Sequence, residues 1–221
     1  MVDNRKVIQE TDALKDLTEA DVQMLKKVGH RLGGRVCGVL RHHPEEIGVQ
    51  MNLQGWVSAV ELIEKFNKVY SKREYYLSLP VLVEMVRMDG KQRYGLKWDG
   101  ETLMIRCSQG HSIPWLEMDY RVEMPPEVLY HGTVDVFADE IMREGIKPME
   151  RQKVHLSADI PTAQKVAGRR RKKGKPVILR VDAGKMAADG VVFYLADNDV
   201  WLTDYVEAGY ILDRIGNFVS G

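Results

Sequence analysis

A predicted β-hairpin near the middle of the chain could present two arginines to one anion. The segments RYGLKW and ETLMIR flank Asp99-Gly100, a dipeptide favoured in two-residue type I′ turns. That turn places Tyr94 opposite Ile105 and sets Arg93 directly across from Arg106. Like charges in this position destabilise a sheet unless an anion lies between them, and guanidinium groups bind phosphate through paired hydrogen bonds. The alternative is that both side chains extend into solvent.

A second cluster of positive charge ends a predicted helix at Arg41-His42-His43-Pro44. The helix dipole favours cations at this end, so stabilisation of the helix is an alternative to a role in binding. Side chains of adjacent helical residues point about 100° apart, which places His42 and His43 poorly for one metal ion. The two cysteines, Cys37 and Cys107, lie far apart in the chain and outside any C-x-x-C motif. We therefore predict no metal site.

Three further histidines occur at junctions flanked by Gly or Ser, namely His111, His131 and His155. Gly132 would let a ligand approach the backbone beside His131, and Thr133 could cap a helix whose amides attract phosphate. Ser157 follows His155 in the strand-like segment VHLS, where it could cap the next helix. A single histidine of this kind is more often a core or capping residue, but three such junctions favour a shared site.

Charge is distributed unevenly along a chain whose formal net charge is zero. Zero net charge argues against a protein that coats nucleic acid indiscriminately. Residues 146–185, however, contain 12 Lys or Arg against three acidic residues, and the densest part is Arg169–Lys173. Such a local field suits capture of one anionic ligand or a short nucleic-acid segment, although a solvated surface is the alternative.

The elements that would position these residues begin with three helices. Thr18 and Asp21 form a predicted capping box for the first helix, Gly33-Gly34 interrupts its apolar pattern, and Pro44 closes it. A second helix starts at Ser58 with Glu61 completing S-x-x-E, and a third covers Leu79 to Met88. Three helices followed by the hairpin predict a winged-helix lobe, a nucleic-acid-binding architecture. The polar residues 1–15 are expected to be frayed.

The second half has a different pattern. Its candidate strands are VLYH, VHL, VILRV, VVFY and VWLT. A helix is predicted from Val134 to Glu144, ended by Gly145. This pattern predicts a mixed α/β lobe, with a boundary near 115–125. The expected fold class is α+β, with lobes at 1–120 and 121–221. The start of the chain lacks an apolar stretch like that of a signal peptide, and a cytoplasmic protein is expected.

Taken together, these segments resemble the RNA 2′-phosphotransferase family, best known for removing the splice-junction 2′-phosphate during tRNA splicing. The resemblance runs in uninterrupted order over residues 25–212. The matching motifs are Leu40-Arg41-His42, Gly55-Trp56-Val57, Lys91-Gln92-Arg93-Tyr94, Ile105-Arg106, Gln109-Gly110-His111-Ser112, Leu129-Tyr130-His131-Gly132-Thr133, Arg151 with Val154-His155-Leu156-Ser157, Gly174-Lys175-Pro176-Val177, and Asn198 with Val200-Trp201-Leu202-Thr203.

The resemblance implies a winged-helix RNA-binding lobe, an ADP-ribosyltransferase-like lobe that binds NAD, and an active site in the cleft between them. The family's signature maps by motif onto catalytic Arg41, His42, Arg93 and Arg151. The substrate phosphate would be bound by Arg41, His42, Lys91 and Arg93, with Arg106 a secondary candidate. The NAD co-substrate would be bound by His131, Gly132, Thr133, His155 and Ser157.

The implied reaction has two steps and uses no metal. The RNA 2′-phosphate attacks C1″ of the nicotinamide ribose of NAD and expels nicotinamide. The 2″-hydroxyl then attacks the phosphate, which releases 2′-OH RNA and ADP-ribose 1″,2″-cyclic phosphate. The implied partners are NAD and a tRNA-like RNA bearing a 2′-phosphate, with no membrane, and the chain is expected to be a monomer acting in tRNA splicing or RNA repair.

Three departures from the family pattern and two rival functions follow from the same residues. The family usually has Phe where Tyr94 stands, which is a conservative change. The run Arg169–Lys173 is longer and more basic than the usual linker, and the lead into Gly110-His111-Ser112 contains Cys107. An ADP-ribosyltransferase acting on protein would need a Glu to activate its acceptor, and none is evident near Val200-Trp201. A non-catalytic winged-helix protein would leave the histidine motifs of the second half unexplained.

Overall fold

Helices and antiparallel sheets occur in both halves of the computed structural model, which describes residues 3–70 and 74–216. The chain divides into two units, Met1–Asp119 and Tyr120–Gly221, and each has its own hydrophobic core. The predicted α+β class is confirmed. None of the helices formed by the described residues is both long and apolar enough to cross a membrane.

The first unit packs four helices on a small sheet. The helices are α1 (Asn4–Glu10), α2 (Glu19–Arg41), α3 (Ala59–Tyr70) and α4 (Leu79–Arg87), with short 3₁₀ turns at Ala13–Asp16 and Pro44–Glu46. The strands are β1 (Val57–Ser58), β2 (Tyr94–Asp99) and β3 (Thr102–Cys107), and they pair antiparallel in the order β1-β3-β2. The three predicted helices correspond to α2, α3 and α4.

Helix α2 forms where the capping residues and the apolar spacing predict it. The Thr18 hydroxyl accepts a hydrogen bond from the amide of Asp21, and the Asp21 carboxylate accepts one from the amide of Thr18. Two amides that the helix cannot satisfy internally are thereby bonded. The helix runs without a break through Gly33-Gly34, because Leu32 and Val36 on either side are fully buried in the core.

The expectation that the N-terminal residues are frayed is wrong for the described part of that segment. Helix α1 buries Ile8, and its first residue, Asn4, is bonded to the free edge of β2. The Asn4 amide donates to the carbonyl of Tyr94 at 2.7 Å and accepts from the amide of Leu96 at 2.8 Å. The Asn4 side chain therefore bonds the strand edge as a neighbouring strand would. The polar composition of residues 1–15 did not indicate this contact.

The hairpin forms, but its predicted register is wrong by two residues. The observed pairs include Tyr94 with Cys107, Leu96 with Ile105, and Asp99 with Thr102. The turn residues are therefore Gly100-Glu101, with Gly100 at φ +58°. A shift of two keeps the same side chains facing the core, so apolar alternation cannot distinguish the registers. Arg106 opposes Gly95, and the predicted pair with Arg93 does not form.

The described residues of the second unit form two antiparallel sheets, three α-helices and a 3₁₀ turn at Ala208–Tyr210. The helices are α5 (Asp135–Glu144), α6 (Ile160–Gly168) and α7 (Ala183–Ala188). The strands are β4 (Arg121–Val122), β5 (Val128–Val134), β6 (Val154–Leu156), β7 (Pro176–Asp182), β8 (Tyr194–Leu195), β9 (Trp201–Thr203) and β10 (Ile211–Gly216), in sheets ordered β10-β7-β5 and β4-β8-β9-β6. Each predicted strand segment contains a strand, although of VVFY only Tyr194 belongs to one.

Two capping roles predicted in this unit are wrong. Thr133 lies inside β5 opposite Val177, because the strand continues to Val134 before α5 begins. The N-cap of α6 is Asp159, whose carboxylate accepts from the amide of Thr162 at 2.8 Å. Ser157 instead exchanges backbone hydrogen bonds with Tyr130, at 2.8 and 2.9 Å, and so joins the end of β6 to β5.

Helix α6 packs directly on the backbone of β5 at Gly132. A Cβ atom at this position would overlap the carbonyl oxygen of Ala163 and lie 2.9 Å from the amide nitrogen of Ala167. Both alanines are fully buried. The glycine is therefore required for the close approach of a helix, whereas the sequence suggested the approach of a ligand.

We predict that Gly132→Ala lowers the free energy of unfolding by about 3 kcal/mol, because α6 must move away from β5. Urea denaturation measures the change. Gly209→Ala is the matched control, because Gly209 is exposed and an added Cβ meets nothing within 4 Å. Its stability should stay within about 0.5 kcal/mol of the parent. Parent-like stability of Gly132→Ala together with lost ligand binding would show that the glycine faces a ligand.

Candidate active site

In the first unit, the C-terminal end of α2 is held by the segment Gly110-His111-Ser112. The amide of Ser112 donates to the carbonyl of Arg41 at 3.0 Å, and the Ser112 hydroxyl lies 2.8 Å from Nδ1 of His42. Gly110 has a φ of +89°, and a Cβ there would lie 3.5 Å from the Arg41 guanidinium group. The two segments matched by the family resemblance are therefore in direct contact, and together they fix the orientation of Arg41 and His42.

The Arg41 guanidinium group is largely buried and incompletely hydrogen-bonded. Its Nε and Nη2 atoms are buried and have no hydrogen-bond partner within residues 3–70 and 74–216. Burial acts to lower the pKa of Arg41, but the sulfurs of Cys107 and Cys37 outweigh it, so the pKa is raised and the group stays charged. A buried cation with unsatisfied N–H groups is costly unless an anion completes its hydrogen bonds. The site is suited to an oxyanion.

Arg93 lies in the same neighbourhood and is oriented by Asp89. Its Nη2 and Nε donate to Oδ1 of Asp89 at 2.8 and 3.0 Å. Burial acts to raise the pKa of Asp89, but these bonds from Arg93 outweigh it and keep the carboxylate ionised. Both Arg93 and Arg41 are near enough to Cys37 to lower the pKa of its thiol. Sequence reasoning missed Asp89, although its position four residues before Arg93 suits an ion pair.

Lys91 lies on the turn that joins Asp89 to Arg93. It is exposed, and its amide donates to Oδ1 of Asp89 at 3.4 Å. The turn is tight, with Gln92 at φ +46° and its amide bonded to the carbonyl of Asp89 at 2.8 Å. Asp89 therefore organises both basic residues of the Lys-Gln-Arg motif.

Arg106 occupies a structural position. It forms an ion pair with Asp119, and its guanidinium carbon lies 4.5 Å from the centroid of the Trp56 ring. It also donates to the carbonyl of Gln54 at 3.2 Å, and only 5% of its surface is exposed. Through these contacts Arg106 fixes the segment before β1. They do not support the binding of a phosphate between Arg106 and Arg93.

His111 is the most deeply buried histidine of the first unit. Only 2% of its surface is exposed, and neither ring nitrogen has a hydrogen-bond partner within the described ranges. Burial, together with the charges of Arg41 and Arg106, lowers its pKa to about 3. His111 is therefore neutral near pH 7, beside a cluster of permanent positive charge. The sequence analysis grouped His111 with His131 and His155 in a shared site, which stays a prediction.

In the second unit, His131 and His155 are linked through the backbone. Nδ1 of His131 lies 3.3 Å from the carbonyl oxygen of His155, and Nδ1 of His155 lies 2.9 Å from the carbonyl oxygen of Lys153. A carbonyl only accepts, so both Nδ1 atoms carry the proton. Burial lowers the pKa of His131 to about 4. Its Nε2 is thus a hydrogen-bond acceptor near neutral pH.

Two arginines add positive charge around His131. The charges of Arg170 and Arg151 contribute to the lowered pKa of His131, and both side chains are exposed. Arg170 comes from the basic run and is positioned by its amide, which donates to the carbonyl of Ala167 at 3.0 Å. Of the predicted NAD contacts, Thr133 is buried and Gly132 is covered by α6. The described residues contain no group of three or more His, Cys, Asp or Glu suited to a metal ion.

Comparison with known proteins identifies the family. The model of the RNA 2′-phosphotransferase, Tpt1/KptA family matches residues 29–205, which include parts of both units. A probable RNA 2′-phosphotransferase of Acaryochloris marina is 42% identical over 175 residues, which are 79% of this chain and 91% of that protein. Proteins of the same name from Agrobacterium fabrum and Fusobacterium nucleatum are 46% and 42% identical, covering 78% and 82% of this chain and 88% and 96% of theirs. This chain belongs to the RNA 2′-phosphotransferase, Tpt1/KptA family.

Proposed function

We propose that this protein removes a 2′-phosphate from RNA by transferring it to the ADP-ribose part of NAD. The observation that carries this proposal is the buried Arg41 guanidinium group, with two N–H positions unsatisfied by the described residues and with His42 and Arg93 close by. A phosphate monoester carries up to two negative charges and several acceptor oxygens, so it can complete these bonds. Arg41, His42 and Arg93 are therefore the proposed phosphate ligands.

The proposed phosphate site distinguishes an RNA 2′-phosphate from a 2′-hydroxyl by charge and by hydrogen-bonding capacity. Asp89 holds the Arg93 fork in one orientation, which reduces the entropy lost when phosphate binds. His111, which is buried and neutral near pH 7, adds no charge to the cluster. An RNA with a 2′-hydroxyl in place of the phosphate would leave the guanidinium group of Arg41 unsatisfied, and so it should bind poorly.

The chemistry of the second cluster fits NAD as the co-substrate. Nε2 of His131 can accept a hydrogen bond from a ribose hydroxyl, since His131 is neutral. Arg151 and Arg170 are exposed cations near it and suit a pyrophosphate. We propose that His131, His155 and Ser157 contact NAD, while Gly132 and Thr133 act through the packing of β5.

The first step displaces nicotinamide. A nonbridging oxygen of the RNA 2′-phosphate attacks C1″ of the nicotinamide ribose as the bond from C1″ to nicotinamide breaks. The nucleophile belongs to the substrate, so the protein must position it and stabilise the developing positive charge on the ribose. Arg41, His42 and Arg93 would hold the phosphate for this attack. Activation of a water or of a protein nucleophile is not needed.

The second step releases the RNA. The 2″-hydroxyl of the transferred ribose attacks phosphorus, the bond from phosphorus to the RNA 2′-oxygen breaks, and a 1″,2″-cyclic phosphate forms. The proton of the 2″-hydroxyl is balanced by the proton that the departing RNA 2′-oxygen gains. Negative charge accumulates on the phosphoryl oxygens in this step, which makes cations more important than in the first. We assign Lys91, Arg93 and Arg151 to this charge. The products are 2′-OH RNA, nicotinamide and ADP-ribose 1″,2″-cyclic phosphate.

The two units take different substrates in this proposal. The first is proposed to be a winged-helix RNA-binding lobe, supported by helices α2, α3 and α4 followed by the β2–β3 hairpin. The second is proposed to be an ADP-ribosyltransferase-like NAD-binding lobe, supported by its antiparallel sheets and the histidines on β5 and β6. A tRNA-like molecule with a splice-junction 2′-phosphate is the proposed substrate class.

We predict that dephosphorylation of a 2′-phosphorylated oligonucleotide requires NAD, because NAD accepts the phosphate. The reaction should continue in EDTA, because the RNA phosphate itself is the nucleophile and no metal-bound water is needed. Release of labelled phosphate from the RNA and formation of nicotinamide measure the reaction. Activity without NAD, or activity abolished by EDTA and restored by a divalent ion, would contradict the proposal. Labelling of protein by NAD would favour an ADP-ribosyltransferase that acts on protein, and binding without turnover would favour a binding module.

Lys91→Ala and Arg151→Ala should each slow the second step more than the first, since both remove a cation from the charged phosphoryl group. The RNA carrying phospho-ADP-ribose should then accumulate in a gel time course. Lys26→Ala and Arg143→Ala, which remove exposed cations from α2 and α5, are the matched controls and should behave as the parent.

Arg41→Ala should instead lower the overall rate by about 100-fold or more without accumulation of the intermediate. Unreacted substrate alone in the Lys91 and Arg151 variants would refute their assignment.

Four residues of the basic run, all but Arg170, are expected to assist RNA capture without taking part in the chemistry. Neutralising Arg169, Arg171, Lys172 and Lys173 should weaken RNA binding and reduce the slope of log affinity against log salt, by about 0.7 per lost phosphate contact on single-stranded RNA. The rate at saturating RNA and NAD should remain near that of the parent. Arg170 is kept because its charge reaches His131.

Filter binding over a salt series measures this effect, and neutralisation of Arg143 and Lys147 in the same unit is the control. An unchanged salt slope would mean that the run is only a solvated surface. A fall in the saturated rate would mean that it contacts the reacting groups. Arg170→Ala, tested separately, should raise the KM for NAD and leave the affinity for RNA near the parent value.

A further inference from the structure

The two cysteines of the chain, far apart in sequence, meet in the core of the first unit. Cys37 lies on α2 and Cys107 ends β3, and their sulfurs are 3.8 Å apart. Cys37 is 7% exposed and Cys107 is fully buried. The phosphate chemistry proposed above uses neither thiol, so their contact with each other is unexplained by that reaction.

The pair adjoins the proposed phosphate site. Arg41 lies one helical turn after Cys37 and is in hydrogen-bond contact with the sulfur of Cys107. Arg93 also lies near Cys37, and the ring of Tyr94 and the Asp89 carboxylate complete the surroundings. Any change in the bonding of these sulfurs therefore acts on the residue that carries the proposed function.

We propose that Cys37 and Cys107 form an oxidative modification site, at which a hydroperoxide converts the two thiols into a disulfide. The disulfide weakens the binding of the substrate phosphate by Arg41. The second part of this inference rests on the proposed function, whereas the first does not. The sulfurs must approach from 3.8 Å to a bonding distance of about 2.05 Å. A movement of this size requires a small adjustment between α2 and β3.

Cys37 is suited to react first. Its pKa is lowered to about 6, chiefly by the hydrogen bond from Cys107 and, against the effect of burial, by the charges of Arg41 and Arg93. Burial raises the pKa of Cys107, so that residue remains a thiol. Cys37 is also the more exposed of the two. A thiolate beside a second thiol is the arrangement in which oxidation ends in a disulfide.

The chemistry balances with a hydroperoxide as the oxidant. The Cys37 thiolate attacks one peroxide oxygen, the O–O bond breaks, and Cys37 becomes a sulfenic acid as hydroxide or alkoxide leaves. The sulfur of Cys107 then attacks the sulfur of Cys37, the S–O bond breaks, and the proton of Cys107 leaves with the hydroxyl group as water. The sulfurs lose two electrons in total, and the hydroperoxide gains them.

The disulfide alters the phosphate site in two ways. It draws α2 and β3 together at Cys37, one turn before Arg41, and a displacement of about 1 Å at a reacting group can cost 100-fold in rate. It also removes the thiolate that offsets the positive charge of Arg41 and Arg93. Both effects are reversed when a dithiol reduces the bond.

The test treats the reduced full-length protein with hydrogen peroxide and measures it by mass spectrometry. We expect the intact mass to fall by about 2 Da and a non-reducing digest to contain a peptide pair joined through Cys37 and Cys107. Cys37→Ser and Cys107→Ser each remove one partner, and neither variant should yield the pair. Absence of the joined peptides in the parent, or a sulfinic acid at Cys37 in their place, would overturn the proposal.

The functional part is measured on the same samples. Affinity for a 2′-phosphorylated oligonucleotide, relative to its 2′-hydroxyl counterpart, should fall by about tenfold or more on oxidation and recover with dithiothreitol. Each serine variant is compared only with its own reduced form and should show no such change. A joined peptide pair with unchanged discrimination would overturn the effect on Arg41. If the reduced parent lacks turnover with NAD, the proposed function fails, while the mass measurement still decides whether the modification site exists.

Discussion

The buried positive charge of Arg41 constrains most of the first unit. A guanidinium group in this position is tolerable only if its orientation is fixed and its charge is offset, and the surrounding residues do both. The amide of Ser112 holds the carbonyl at the end of α2, Gly110 leaves room for the side chain, and the sulfur of Cys107 contacts it. The capping box at Thr18 and the continuous apolar stripe of α2 matter because they bring the helix to its end in one defined position.

The second unit is arranged around a close contact of helix and strand. Because Gly132 lacks a Cβ, α6 lies directly on β5, and the chain that leaves α6 then brings Arg170 near His131. The backbone link between His131 and His155 joins β5 to β6 and fixes the tautomer of both rings. The missing side chain of Gly132 thus helps to determine where the candidate ligand-binding groups lie. This explains why a glycine beside a functional histidine need not itself contact the substrate.

Much of the fold follows from periodicity and capping, and the failures have identifiable physical causes. Apolar spacing and the capping box at Thr18 predict α2 closely, because both features act within a few residues, and the third predicted helix forms as α4. The hairpin register could not be derived, since a shift of two residues changes the turn but not the buried face. The motifs single out Arg41, His42 and Arg93, but they give no indication that Asp89 orients Arg93 or that Arg106 is bound to Asp119 and Trp56. The contacts of Arg106 join distant parts of the chain and depend on tertiary geometry, whereas the four-residue spacing of Asp89 and Arg93 is a local signal that could have indicated their ion pair.

The histidines and arginines of the two clusters differ in the charge they carry near neutral pH, and this difference limits their chemical roles. Arg41 and Arg93 remain charged at every physiological pH, so they can neutralise a phosphate without any proton transfer. His111 and His131, with pKa values lowered to about 3 and about 4, are neutral over the same range. Neither can donate a proton from an imidazolium group, and each is restricted to accepting or donating hydrogen bonds as a neutral ring. An imidazolium of His111 or His131 is therefore not a proton donor near neutral pH. The arginines are the groups that can stabilise negative charge on a phosphate.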